Sequence, residues 1–314
     1  MRAILFPGQG SQYVGMGSDF YTKFDSVKKN FEIVDKALGY PLSKIILNGP
    51  DEELKLTQNT QPAIMTVGVS IFEVLNKNFN LNLNKSKFFA GHSLGEYTAL
   101  VCSGSLTLEK AAYLLNQRGK AMQEAVPPGD GSMMAILGMT LSEVEEEISS
   151  LSNNGLCEIA NDNCNGQVVV SGETKVIEIL NKNLKNKKKR GIILPVSAPF
   201  HCSLMKKASE RMKPEILKTN FLKPNTAIIS NVTAKQENDI FRVKSLLIEQ
   251  IVSRVRWRES VDYMIKEGVK NFIEIGPGKV LSGLVKKINK NLKISNINNI
   301  EDIKKWLILK IKKF

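Results

Sequence analysis

A chain of 314 residues exceeds one average domain, falls short of two comfortable ones, and is long enough to bury a substantial core. Its 42% hydrophobic and 24% charged residues exclude a disordered chain, and no apolar run approaches the roughly 18 residues of a membrane span. The net charge of +13 comes without a helix-turn-helix, zinc-finger or RNA-binding aromatic motif, so a small acidic protein is a better expected partner than nucleic acid.

The first ten residues hold one Arg and a short apolar run that meets Pro7-Gly8 at once. This reads as a strand, Arg2–Phe6, and a turn rather than a signal peptide, so the protein is expected in the cytosol, or in an organelle after loss of a leader. Helical spacing covers 18–38 (Phe20, Phe24, Val27, Phe31, Val34, Leu38), and a second helix covers 61–77 with Pro62 in its first turn. A short strand at 87–90 runs into Gly91-His92-Ser93-Leu94-Gly95, followed by helices from Glu96 and over 107–125.

The pattern then changes. Residues 132–138 read as strand, 141–151 as helix, 156–161 and 167–171 as strands, 174–185 as helix and 191–196 as strand, which is the βαββαβ order of a ferredoxin-like unit. Pro127-Pro128-Gly129 and Pro195 bracket it. The expected fold is therefore α/β: a larger hydrolase-like domain, 1–126 and 197–314, with a ferredoxin-like domain, 127–196, inserted into it. In the returning half, 227–230 and 272–275 read as strands, 240–253 as a helix, and a helix starts at Val280. The tail, 300–314, reads as a basic amphipathic helix (Ile300, Ile303, Trp306, Leu307, Leu309, Ile311) that lies on a membrane surface or, the preferred reading, packs on its own domain. The basic stretch 185–190 reads as a solvated loop.

Gly91-His92-Ser93-Leu94-Gly95 between a strand and a helix is a nucleophile elbow: a sharp turn exposes the serine hydroxyl, and the N–H of Leu94 faces the oxyanion formed when Ser93 attacks a carbonyl. A tight turn needing small residues would look the same. The serine needs a base, and the chain has two histidines. His92 sits inside the elbow and should diverge from the hydroxyl, which leaves His201. No acid between Ser93 and His201 stands out as the third member of a triad, and a dyad oriented by an amide or carbonyl fits equally well. Cys102, Cys157, Cys164 and Cys202 form no C-x-x-C pair, so neither a zinc site nor a disulfide framework is expected.

Taken together, Phe6-Pro7-Gly8-Gln9-Gly10-Ser11-Gln12, Thr60-Gln61-Pro62, the elbow with Glu96-Tyr97, Gln117-Arg118-Gly119, Asn161 with Gln167-Val168-Val169, Pro199-Phe200-His201-Cys202 and Glu274-Ile275-Gly276-Pro277-Gly278 resemble the malonyl-CoA:acyl carrier protein transacylases of dissociated fatty acid synthesis, over essentially the whole chain. The resemblance implies Ser93 as nucleophile, His201 as base, the backbone N–H groups of Gln9 and Leu94 as oxyanion hole, and the main-chain carbonyl of Gln250 as the group orienting His201. It implies malonyl-CoA and acyl carrier protein as partners, fatty acid synthesis as the setting, and no cofactor or metal. Phe200 matches the residue that accompanies malonyl in related polyketide acyltransferases.

Arg118 shares the apolar stripe of its helix with Ala111, Leu115 and Met122. An inward arginine needs a partner. An internal salt bridge or a snorkelling side chain would serve; so would the carboxylate of a malonyl substrate, which the planar guanidinium matches bidentately. Three rival readings remain open at this stage: a thioesterase of the same fold, a silent carrier-binding protein, and nucleic-acid binding through the net charge.

Overall fold

The computed structural model of the protein describes residues 1–196 and 198–311, with side chains through Ile308. Strand β1 (Arg2–Phe6) leads into helices α1 (Ser18–Lys23), α2 (Asp25–Leu38), α3 (Leu42–Asn48), α4 (Asp51–Lys55) and α5 (Thr57–Lys77), then β2 (Phe88–Gly91), α6 (Gly95–Cys102) and α7 (Leu108–Glu124). The middle of the chain runs β3 (Gly131–Leu137), α8 (Leu141–Ser149), β4 (Cys157–Cys164), β5 (Gln167–Glu173), α9 (Thr174–Asn186) and β6 (Arg190–Ile193). The last part runs α10 (Lys206–Lys218), β7 (Ala227–Ile229), β8 (Gln236–Glu237), α11 (Ile240–Gln250), α12 (Trp257–Lys266), β9 (Asn271–Ile275), α13 (Val280–Ile288), β10 (Lys293–Ile297) and α14 (Ile300–Ile311).

Two sheets result. One has six strands in the order β10-β9-β1-β2-β7-β8, parallel except for β8; the other has four, β4-β5-β3-β6, all antiparallel. A parallel sheet needs cover on both faces, and β1 shows it: Ala3, Ile4, Leu5 and Phe6 are all buried. Phe6, Phe72 of α5 and Phe89 of β2 meet edge to face in the layer between sheet and helices. The four-stranded sheet with α8 and α9 on one face has its own core of Met134, Ile136, Val144, Val170, Ile177 and Leu180. This is a two-domain α/β fold, a hydrolase-like parallel sheet with a ferredoxin-like unit.

Several element ends differ from the sequence reading. The helix expected over 18–38 breaks at Phe24, whose φ of −124° and ψ of 116° are extended. Helix α5 begins five residues before Pro62, so the proline lies inside it. A proline there removes the bond to the carbonyl four residues back, and that carbonyl, Gln58 O, instead accepts from Asn116 Nδ2 at 3.0 Å. Strand β4 runs to Cys164 and β6 stops at Ile193. Helices α3, α4, α10 and α12 and strands β8 and β10 were not anticipated. In the tail, Ile303 is fully buried and Trp306 and Leu307 pack on the main core, as the packing reading expects, while Ile308 is exposed. The side chains of Leu309 and Ile311, residues 312–314 and the boundary residue Ser197 lie outside the described residues.

The smaller sheet is tied through its edge strand β4 to the segment between α11 and α12. Val255 donates to Ala160 O at 2.8 Å and accepts from Asp162 N at 3.0 Å. Asp162, 1% exposed, is held by Arg258 through Nε at 3.1 Å to both carboxylate oxygens and Nη2 at 2.8 Å. Arg258→Ala strands this buried carboxylate. It is expected to lower the unfolding free energy by about 2 kcal/mol, below the usual figure for a fully buried pair because Arg258 is itself partly in water. A lower urea midpoint at unchanged slope is the readout.

Candidate active site

Parallel strands present their carboxyl ends to a common edge, and β1 and β2 are neighbours there. The turn after β2 is tight. A Cβ at Gly91 would lie 1.8 Å from the carbonyl carbon of Gly95, so only glycine lets the strand and α6 meet. Ser93 at its apex takes a φ of +53°, a conformation that a non-glycine residue holds only when its surroundings impose it. Asn231, just after β7, imposes it: Oδ1 accepts from Ser93 N at 2.7 Å and Nδ2 donates to Gly91 O at 2.7 Å.

Leu94 heads α6, where the first N–H groups have no helical partner. Gln9 lies in the loop after β1. Among the described residues neither amide N–H donates a hydrogen bond, so both are available to an oxyanion, with the positive end of α6 behind Leu94.

His201 comes from the other half of the chain, also at positive φ, +60°. Its Nε2 lies 2.8 Å from Ser93 Oγ and its Nδ1 lies 2.8 Å from the main-chain oxygen of Gln250. A carbonyl only accepts, so Nδ1 carries the proton, Nε2 is bare, and the Ser93 hydroxyl donates to it. Helix α11 ends at Gln250, not at 253, and the last carbonyls of a helix lack partners within it; this one takes a bond of 3.4 Å from Ser253 N and keeps its second lone pair for His201. Burial, then the nearby Arg118 charge, push His201 down to about 3, so the imidazole is neutral across the physiological range. His92 turns away. Its Nε2 shares a hydrogen bond with Asn163 Oδ1 at 3.0 Å and its ring lies 5.6 Å from that of Trp257.

Arg118 is 1% exposed on α7. Helix α7 gets this close to α5 because residue 119 is glycine; a Cβ there would lie 2.5 Å from Gln58 Cα. Nη1 donates to Gln61 Oε1 at 2.8 Å, and Nη2 to Gln250 Oε1 at 2.9 Å and to Ser93 Oγ at 3.1 Å. The ring of Tyr97 lies 5.8 Å from the guanidinium. Among the described residues no carboxylate pairs with Arg118 directly, and its Nε has no partner. It is neither snorkelling nor in a salt bridge. A buried cation bounded by neutral groups beside a serine hydroxyl is a ready seat for an anion.

The family described as acyl transferase domain matches residues 4–306. The chain belongs to that family. It is 44% identical over 303 residues to the malonyl CoA-acyl carrier protein transacylase of Bacillus subtilis (strain 168), covering 96% of this chain and 94% of that protein. The crystal structure of an acyl-carrier-protein S-malonyltransferase from Bartonella henselae superposes with a TM-score of 0.94 at 44% identity, over 98% of each chain. A malonyl-transacylase solved in complex with a type II PKS acyl-carrier protein superposes with a TM-score of 0.92 at 36% identity, over 96% of this chain and 97% of that one.

Around the site of this acyl transferase lie four residues that the sequence reading did not assign. Gln61 and Glu96 stand inside motifs already singled out, and their burial in polar company was the available signal. Asn163 and Asn231 carry no local signal, because their roles depend on which strands become neighbours. Glu274, buried on β9, accepts from Leu281 N at 3.0 Å and Ser282 N at 2.7 Å, so the acid of the last motif caps α13 away from the chemistry. No group of three His, Cys, Asp or Glu among the described residues could hold a metal, and none of their helices is long and apolar enough to cross a membrane.

Proposed function

We propose that this acyl transferase moves the malonyl group of malonyl-CoA to the phosphopantetheine thiol of acyl carrier protein, through an ester on Ser93, as a step of fatty acid synthesis in the cytosol. The observation that carries the reading is Arg118: a buried guanidinium with no carboxylate paired to it directly among the described residues, 3.1 Å from the nucleophile's oxygen.

The malonyl carboxylate binds Arg118, which sets the thioester carbonyl over Ser93 Oγ. The Ser93 proton passes to His201 Nε2 as Oγ attacks, and the oxyanion takes the N–H groups of Gln9 and Leu94. Collapse breaks the C–S bond, and the departing coenzyme A thiolate takes the proton from His201. Carrier-protein thiol then gives its proton to His201 and attacks the ester, and Ser93 recovers the proton as it leaves. The substrate carboxylate also offsets the Arg118 charge that lowers His201, so the loaded site holds a stronger base than the empty one. Acyl exchange and proton shuttling are the whole of the chemistry, and no step calls on a cofactor or metal. Residues 1–126 and 197–314 would form the catalytic domain and 127–196 the smaller, ferredoxin-like domain. The net charge of +13 favours encounter with an acidic carrier.

Intact mass tests the reading. Brief mixing with malonyl-CoA should add one malonyl group, which leaves when reduced carrier protein is added and reappears on the carrier. An adduct that decays to free malonate at the same rate without the carrier would instead make the protein a thioesterase.

A further inference from the structure

Glu96, in the first turn of α6, is 3% exposed, and a carboxylate is seldom so buried without a paired cation. Among the described residues it forms no direct ion pair. Its Oε2 accepts from Asn231 N at 3.0 Å and from Gln250 Nε2 at 2.8 Å. Gln250, itself fully buried, passes the interaction on: its side-chain Oε1 accepts from Arg118 Nη2 and its main-chain oxygen accepts from His201 Nδ1. A side-chain amide has a donor edge and an acceptor edge, and the surroundings decide which way each points. With the Glu96 carboxylate at 2.8 Å, Ser93 O at 3.2 Å and Asn231 Oδ1 at 3.3 Å all accepting from Nε2, only the donor edge of Gln250 fits on that side. The acceptor edge must then face Arg118.

We propose that Glu96 is a positioning residue for acyl selectivity: by fixing the Gln250 amide it holds Arg118 beside Ser93, and it places the guanidinium's counter-charge one amide away, leaving the guanidinium free to take the carboxylate of the acyl group. This rests on the reading of Arg118 as that carboxylate's seat. A carboxylate paired directly with Arg118 would compete with every incoming substrate, and the pair would have to be broken in a buried site. A counter-charge relayed through Gln250 avoids the competition, and the unpartnered Nε fits a guanidinium whose bonding capacity is not used up. Coulomb attraction alone predicts the opposite effect of removing Glu96, since loss of a nearby negative charge would tighten binding of an anion. Orientation and charge thus give opposite signs for the same variant.

The test measures kcat/KM for Ser93 acylation by malonyl-CoA and by acetyl-CoA, in wild type and Glu96→Gln, from pH 5.5 to 8.5. At pH 8.5 Glu96→Gln should cut the malonyl-to-acetyl ratio about tenfold, through KM for malonyl-CoA. In wild type the ratio should itself fall as pH drops through about 7, where burial places the titration of Glu96. In Glu96→Gln it should be flat. The charged groups facing Glu96 are Arg118 from α7 and Tyr97 on its own helix, with His201 reached through Gln250. Tyr97 is pushed up to about 12 and His201 down to about 3, so neither titrates in this window. Coenzyme A phosphates are common to both substrates and cancel in the ratio. An unchanged or higher ratio in Glu96→Gln, equal losses with both substrates, or a wild-type ratio independent of pH would each overturn the proposal; the wild-type profile decides it even where the variant folds poorly. If Arg118→Ala lowers the ratio and Glu96→Gln does not, this inference fails alone. A wild type with no preference for malonyl-CoA removes the reading beneath it.

Discussion

Ser93→Ala is expected to form no acyl adduct with malonyl-CoA and to transfer malonyl to carrier protein at least about 10⁴-fold more slowly than wild type. The change removes one oxygen and leaves its setting intact. Asn231 still holds the turn through main-chain atoms, the Gln9 and Leu94 N–H groups stay in place, and His201 remains bound to the Gln250 carbonyl. Arg118 loses one of its three acceptors and keeps Gln61 and Gln250, so the variant should still bind malonyl-CoA. Binding without acylation separates loss of the nucleophile from loss of the site. Cys202, next to His201, is a poor substitute: burial pushes its thiol up to about 11, and it already donates to Pro199 O. An adduct in Ser93→Ala that forms at a comparable rate would move the nucleophile elsewhere.

The parts of the fold that a sequence reveals are those whose signal is local. The strand Arg2–Phe6, the change to βαββαβ after Pro127 and the Thr107-capped helix that carries Arg118 announce themselves by periodicity and by turn residues. Other features depend on what packs nearby. Pro62 reads as a helix start because the interior of a helix rejects proline, and the compensating donor, Asn116, is far along the chain. Phe24 fits the apolar stripe of one long helix, and the break there leaves that stripe intact. Helix α12, opening on the fully buried Trp257, was missed altogether, and with it the Arg258 clasp on Asp162.

The site divides the same way. Ser93 and His201 are readable because chemistry narrows the choice: one elbow serine and two histidines. No sequence rule identifies a carbonyl as the partner of a histidine, since every residue has one; Gln250 came from the resemblance, and only the end of α11 explains why its carbonyl can accept from His201. Glu96 was visible as a letter in a motif and invisible as a charge, because nothing local indicates that it is buried behind Gln250 rather than exposed on the first turn of a helix.

Arg118→Ala should lower kcat/KM for malonyl-CoA by about 10³-fold while changing acetyl-CoA by less than about tenfold. Truncating one partner of a buried, charge-assisted pair costs several kcal/mol, and here the stranded partner would be the substrate's own carboxylate. Acetyl lacks that group and loses only what Arg118 gives the site in general. That residue also has a cost for acetyl transfer, because its charge is the second cause, after burial, of the low basicity of His201. Removing it should raise the imidazole toward its ordinary range. His201 acts as a base only when neutral, so the acid limb of acetyl transfer should move to higher pH in Arg118→Ala, with the rate above that limb preserved. Arg118→Lys keeps the charge and loses the two-pronged geometry, and it should fall between wild type and alanine for malonyl-CoA. Equal losses for the two acyl groups would show that Arg118 supports the architecture of the site and does not read the carboxylate; the upward shift of the acid limb would persist, because it depends on the charge near His201 and not on the substrate.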